Sequence, residues 1–257
     1  MDENKLPLTA HLQELRKRLI LSFIAVGIGF VFCYTFSDTL FGLLAAPLLK
    51  VMPRGGSLIF ISVAEAFFTY MKVGFIGGLI LTSPFVLYQI WAFVAPGLYR
   101  HEKRYVVPFV SLGSFFFALG IFFAYYVALP MGFKFLLGYA TDFIKPMPNM
   151  KEYLSFSIKF LLIFGLVFEF PVALLLLTRI GVVEARTLAR HRKYAILLIF
   201  IFAAVVTPPD IISQILMALP LMALYEVSIL LARLFGRKKR ESASEEKAAT
   251  EGASGSP

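Results

Sequence analysis

Charge is scarce in this chain: 16% of its 257 residues are Asp, Glu, Lys or Arg, and it holds three histidines and one cysteine. Ordinary soluble domains carry about 25% charged residues, so a water-solvated globule of this length would lack the polar residues to cover its surface. One cysteine excludes a disulfide framework, and with so few histidines no Cys/His zinc site can be assembled. Cys33 lies in an apolar run and reads as a small buried hydrophobe. What is abundant is apolar: 59% of the residues are hydrophobic and 16% aromatic. This is the composition of an integral membrane protein. The formal charge of +9 does not point to nucleic acid, because the basic residues flank apolar runs instead of gathering on one solvated face. They read as contacts to lipid head groups and as determinants of orientation.

A transmembrane helix takes roughly 20 mostly apolar residues, and six runs qualify as candidates: 19–36, 66–95, 106–129, 153–178, 194–206 and 211–232. The expected fold is therefore all-α, one transmembrane domain over 1–235 followed by a disordered polar tail over 236–257. Pro84 offers a bend in the long second run. The fifth run has 13 residues, about 20 Å of helix against a hydrocarbon core of about 30 Å. Lys and Arg number 18 in the termini and the even-numbered loops against 5 in the others, which predicts both termini in the cytoplasm. The first run is read as a retained helix, since no small-x-small cleavage site follows it. Within the outer segment after it, the apolar stretch 40–49 predicts a short interfacial helix, or a pair broken at Pro47.

Enzyme chemistry finds no footing. His11, His101 and His191 fall in flanks, so no serine–base pair is available at membrane depth, and Asp38, Asp142 and Asp210 sit in outer segments. His101-Glu102-Lys103-Arg104 opens like a zinc-protease motif and lacks the second histidine. No catalytic residue, cofactor or metal is expected.

Acidic groups in costly places remain. Glu169 lies nine residues from the cytoplasmic end of the fourth run, about 14 Å along a helix, and a carboxylate near the bilayer centre costs at least about 2.5–3.5 kcal/mol. It is expected to face a cavity or a partner. Pro171 cannot donate to the Val167 carbonyl, which leaves the backbone there under-satisfied. Gln214 can hydrogen-bond across a helix interface, Thr207 lies near it, and Asp210 is placed to cap the sixth helix. Glu226 lies near enough to its helix end to reach the interface, and Lys72 and Lys159 are placed to snorkel. At the amino terminus Leu8, Leu12, Leu15 and Leu19 form one stripe of an amphipathic helix, and His11, Glu14 and Arg18 share another face. Glu102, in a short basic loop, is a second acidic group able to select a guanidinium by bidentate pairing.

Taken in order, His11-Leu12-Gln13-Glu14-Leu15-Arg16-Lys17-Arg18, Phe93-Val94-Ala95-Pro96-Gly97-Leu98-Tyr99 with Glu102-Lys103-Arg104, and Phe168-Glu169-Phe170-Pro171 resemble the TatC family. Ala46-Pro47-Leu48, Ser62-Val63-Ala64-Glu65-Ala66-Phe67 and Thr207-Pro208-Pro209-Asp210 fit as well. TatC is the multi-spanning receptor subunit of the twin-arginine protein translocase. The resemblance implies a concave six-helix bundle, short in its fifth and sixth helices and capped on the outside. It also implies recognition of twin-arginine signal peptides of folded precursors at the cytoplasmic face of a bacterial inner membrane, with export drawing on the protonmotive force. It places Glu14, Arg16, Phe93, Glu102 and Arg104 in the signal-binding surface. Glu169, Thr207 and Gln214 fall in the region that meets the single-span partners TatA and TatB, and Pro47 and Asp210 at sensitive outer positions. Self-association in a receptor complex is implied too.

Two other readings follow from the residues alone. An ion-coupled solute carrier would use Glu169 as a midplane site, although no internal repeat is visible. An assembly scaffold would bind single-span helices and ignore signal peptides.

Overall fold

The computed structural model describes residues 8–53, 56–94, 106–141, 146–179, 181–207 and 210–235. The tail beyond 235, Glu102 and Arg104 lie outside the described residues. Ten α-helices follow one another among those described: α1 (Leu8–Thr35), α2 (Ser37–Leu49), α3 (Val63–Val94), α4 (Val106–Phe123), α5 (Leu129–Leu137), α6 (Met150–Phe168), α7 (Phe170–Arg179), α8 (Ala185–Arg190), α9 (Arg192–Val206) and α10 (Ile211–Phe235). A π-helical turn, Ala124–Ala128, joins α4 to α5.

Among the described residues five stretches are long and apolar enough to cross a membrane: Ala10–Thr35, Val63–Phe93, Val107–Leu137, Met150–Arg179 and Ile211–Leu234. The expected fifth span, α9, has 15 residues, about 22 Å of helix. The sixth does not conform to the expectation of a short helix: α10 has 25 residues, about 37 Å, since the run 211–232 is by itself of membrane-crossing length. Nor does Pro47 break the short helix expected over 40–49, since α2 runs through it to Leu49.

Glycine sets the closest packing. A Cβ on Gly78 would stand 2.4 Å from the Phe30 amide nitrogen and 2.5 Å from the Gly29 carbonyl carbon, and one on Gly74 would stand 3.0 Å from the Tyr34 Cα. Helices α1 and α3 therefore touch backbone to backbone and antiparallel, through a Gly74-x3-Gly78 pair of the small-xxx-small kind that lets helices approach in lipid. Likewise α4 and α6 cross where a Cβ on Gly120 would lie 2.5 Å from the Phe164 carbonyl oxygen.

Around three of the prolines inside the spans the backbone is accommodated locally. Ser83 Oγ donates to the Ile80 carbonyl at 2.7 Å, the acceptor that Pro84 cannot serve. Pro130 follows the π turn, where the Leu129 N–H reaches back five residues to Ala124. At Pro171 the fourth span interrupts its α-helix at Glu169, and the cap N–H groups donate to the carbonyls of Leu166 and Val167. The span expected as one helix is thus α6 and α7, with the carboxylate of Glu169 at the joint.

The main core brings together Leu48 of α2, Ala128 of the π turn, Leu154, Leu161 and Phe164 of α6, and Met217 of α10. A smaller one joins Leu174, Leu188 and Ile229 of α7, α8 and α10. Following the chain, α2, the starts of α3, α6 and α10, and the end of α9 share one end of the bundle, the cap end. The starts of α1 and α4 and helix α8 share the other.

Candidate functional site

At the end opposite the cap, α1 begins as one continuous helix, so residues four apart share a face. Arg18 donates from Nε and Nη2 to the same Glu14 oxygen, at 3.0 and 2.6 Å. Its Nη1 donates to Oε1 of Gln89, on α3, at 3.3 Å. Glu14 and Arg18 are about a quarter exposed, so the pair contributes little stability, about 0.3–0.5 kcal/mol as an i,i+4 pair. What it supplies is position. With Ala10, Gln13, Lys17, Leu21, Tyr88 and Gln89 it lines a cavity of about 510 Å³ between α1 and α3. Beside it the His11 ring stacks on Phe93, centroids 4.4 Å apart and planes within 19°.

The structure thus brings Glu14 and Phe93 to one end of the bundle. Arg16 is exposed and is not a wall of the cavity; Lys17 and Arg18 are. Gln89 is a participant that sequence reasoning missed. Its signal was a lone amide within the apolar run before Val94, where a polar side chain must find a partner.

Glu169 lies 19 residues into the Met150–Arg179 span, about 28 Å from its cap end. Its Oε1 is buried and has no hydrogen-bond partner among the described residues. The carboxylate rests over Gly113 of α4: a Cβ there would stand 2.9 Å from Oε2. A carboxylate beside a bare glycine, in a helix joint and short of donors, is suited to an incoming polar group from another chain.

At the cap end the other expected residues hold the α9–α10 junction. Thr207 is buried and its Oγ1 donates to the Ala203 carbonyl at 2.9 Å. Gln214 Nε2 donates to the Phe200 carbonyl at 3.1 Å, pinning α10 to α9. Asp210 Oδ1 accepts the Ser213 N–H at 2.6 Å, which is the N-cap expected of it. Pro47 is buried in α2, and Tyr125 donates its hydroxyl to the Leu43 carbonyl, four residues before that proline, at 2.8 Å.

A second feature escaped the sequence. Glu65 is 9% exposed and accepts three backbone N–H groups: Ile61 at 3.0 Å, Ser62 at 3.4 Å and, from the start of α6, Lys151 at 3.0 Å. Next to it Ile59 bridges to Asn149, with the Met150 N–H donating to the Ile59 carbonyl at 2.8 Å. This latch ties the segment between α2 and α3 to α6.

The family model described as Sec-independent protein translocase protein (TatC) matches residues 10–220. The chain belongs to the TatC family. A "Sec-independent protein translocase protein TatC" of Desulforapulum autotrophicum is 53% identical over 93% of this chain and 88% of its own. That of Escherichia coli K12 is 40% identical over 93% of this chain and 94% of its own. A crystal structure of the "Twin Arginine Translocase Receptor- TatC" superposes with a TM-score of 0.77 at 42% identity, covering 88% of this chain and all of that one. As a TatC family member with five membrane-length helices, the chain is a multi-pass membrane protein of a protein translocase family, which is not a family of enzymes. Membership in the TatC family separates the translocase reading from the solute-carrier and scaffold readings, neither of which finds support in these matches.

Proposed function

We propose that this chain is the receptor subunit of a twin-arginine translocase, binding the twin-arginine signal peptides of folded precursors. The end of the bundle bearing Glu14 and Phe93 then faces the cytoplasm of a bacterial inner membrane, and the cap end faces outward. The observation that carries this reading is the cavity beside Glu14. Its carboxylate already forms a guanidinium pair with Arg18, held by Gln89, so an incoming arginine meets a site built for that group. Arginine is favoured over lysine because its planar fork can bond two acceptors at once. Glu102 supplies the second carboxylate, with Arg16 and Arg104 framing the entrance. Single-span TatA and TatB subunits dock along the α9–α10 side and place a polar group against Glu169, and copies of the chain associate in the resting receptor.

Binding of a twin-arginine peptide and its twin-lysine counterpart to the protein in lipid nanodiscs tests the proposal, with Glu14→Gln and Glu102→Gln alongside. The arginine peptide is expected to bind more tightly than the lysine peptide by about tenfold, a difference of about 1.4 kcal/mol, with each variant reducing that preference. Equal binding of both peptides, in the presence of the single-span subunits as well as in their absence, would overturn it.

A further inference from the structure

Lys72 of α3 and Lys159 of α6 are both exposed and line a single groove of about 630 Å³ between α1, α3 and α6. The Glu65 latch fixes their relative height: Glu65 receives the Lys151 N–H at 3.0 Å, and from that level Lys72 is seven residues along α3 and Lys159 eight along α6. Both therefore lie about 10–12 Å below the latch, on opposite walls at one depth. Each ammonium can reach toward the head-group layer on its alkyl stem. Neither lysine has an ion-pair partner among the described residues, and the nearby Glu65 carboxylate is already committed to backbone donors. The rest of the groove is aromatic and aliphatic, with Phe30, Phe68, Phe75 and Ile158 on its walls, and Phe68 and Phe75 about half exposed. Two like charges lining one apolar groove call for an anion there, and the walls call for that anion to carry a hydrocarbon chain.

We propose that this groove is a binding site for an anionic phospholipid, its phosphodiester held between Lys72 and Lys159 and an acyl chain laid along Phe30, Phe75 and Ile158. The lipid fills the lipid-facing seam between the α1–α3 pair and α6, two units that meet there without glycine contact. The site is separate from the cavity beside Glu14 and from Glu169, and does not depend on the function proposed for either.

The test is native mass spectrometry of the full-length protein in detergent, with phosphatidylglycerol or phosphatidylcholine of matched acyl chains added. Phosphatidylglycerol is expected to occupy the parent preferentially, and Lys72→Gln or Lys159→Gln to reduce that preference by about fivefold each. Lys50→Gln, outside the groove, leaves it unchanged, and the Lys72→Arg, Lys159→Arg pair retains it at an unaltered melting midpoint. The indole introduced by Phe68→Trp is quenched by brominated phosphatidylglycerol more than by brominated phosphatidylcholine, judged against the quenching of Trp91 in the parent. Equal occupancy by both lipids, or selectivity that survives the double glutamine variant, would overturn the proposal. Loss of selectivity in the arginine pair would overturn it too, and displacement of the lipid by inorganic phosphate would make the site one for the free anion.

Discussion

Tyr125 donates its hydroxyl to the carbonyl of Leu43 at 2.8 Å, the acceptor that loses its helical donor because residue 47 is proline. A defect in α2 is thereby repaired by a side chain from the π turn. Tyr153, on α6, donates to the adjacent Leu44 carbonyl at 2.5 Å, so two tyrosines hold the cap helix from below. Tyr125→Phe removes one donor at a partly buried position and is expected to cost about 0.5–1.5 kcal/mol. Tyr153→Phe acts at a residue only 5% exposed and is expected to cost more. Thermal unfolding in detergent checks the order; a Tyr125→Phe effect larger than that of Tyr153→Phe would contradict it.

The α1–α3 contact makes a paired prediction. At Gly78 an added methyl meets backbone atoms of Phe30 and Gly29, which cannot swing aside. Gly78→Ala should therefore push the helices apart, at a cost of about 1–3 kcal/mol. At Gly27 nothing lies within 4 Å of the added Cβ, and Gly27→Ala should be neutral or stabilise by up to about 1 kcal/mol through helix propensity. Melting midpoints of the two variants, measured side by side, distinguish contact from propensity.

Glu65 offers acceptors only, and each of its three partners is an N–H. Glu65→Gln substitutes an amide NH2 for one oxygen, so at least one donor faces another donor. The expected outcome is a lowered melting midpoint with faster amide hydrogen exchange at Ile61, Ser62 and Lys151, and little change around Glu14. Uniform exchange across the molecule would mean that the latch stabilises the whole bundle and not the segment between α2 and α3 in particular.

Gly113 leaves room for the Glu169 carboxylate. In Gly113→Ala the methyl meets the far end of a flexible side chain, so the fold should survive while the carboxylate moves. If Glu169 receives a polar group from a single-span subunit, Gly113→Ala should weaken that association in the same direction as Glu169→Ala, with signal-peptide binding kept. Co-purification of the partner subunits with each variant reads the effect; normal association in Gly113→Ala alongside loss in Glu169→Ala would show that the carboxylate can act from another position.

Much of the fold follows from apolar run length. Each crossing helix can be read from the sequence because every backbone group in lipid must bond within its own segment, and only long apolar runs allow that. The shortness of α9, the cap at Asp210 and the Glu14–Arg18 spacing are legible for the same local reason: helix geometry alone places residues three and four apart together. The glutamate at 169 was equally visible, since a carboxylate in an apolar run has few innocent explanations.

What the tertiary structure decided is which distant groups meet. Pro47 and Pro171 are both proline in the sequence, yet α2 continues through the first, where tyrosines from other elements stand by, and the fourth span breaks at the second. Gln89 joins the Glu14 pair at Arg18 from 71 positions along the chain, Glu65 finds the start of α6 from 86 positions away, and two lysines that separately read as snorkelling side chains come to line one groove. These contacts depend on the approach of α1 to α3 and of α3 to α6, which packing sets and which periodicity along one helix cannot reveal.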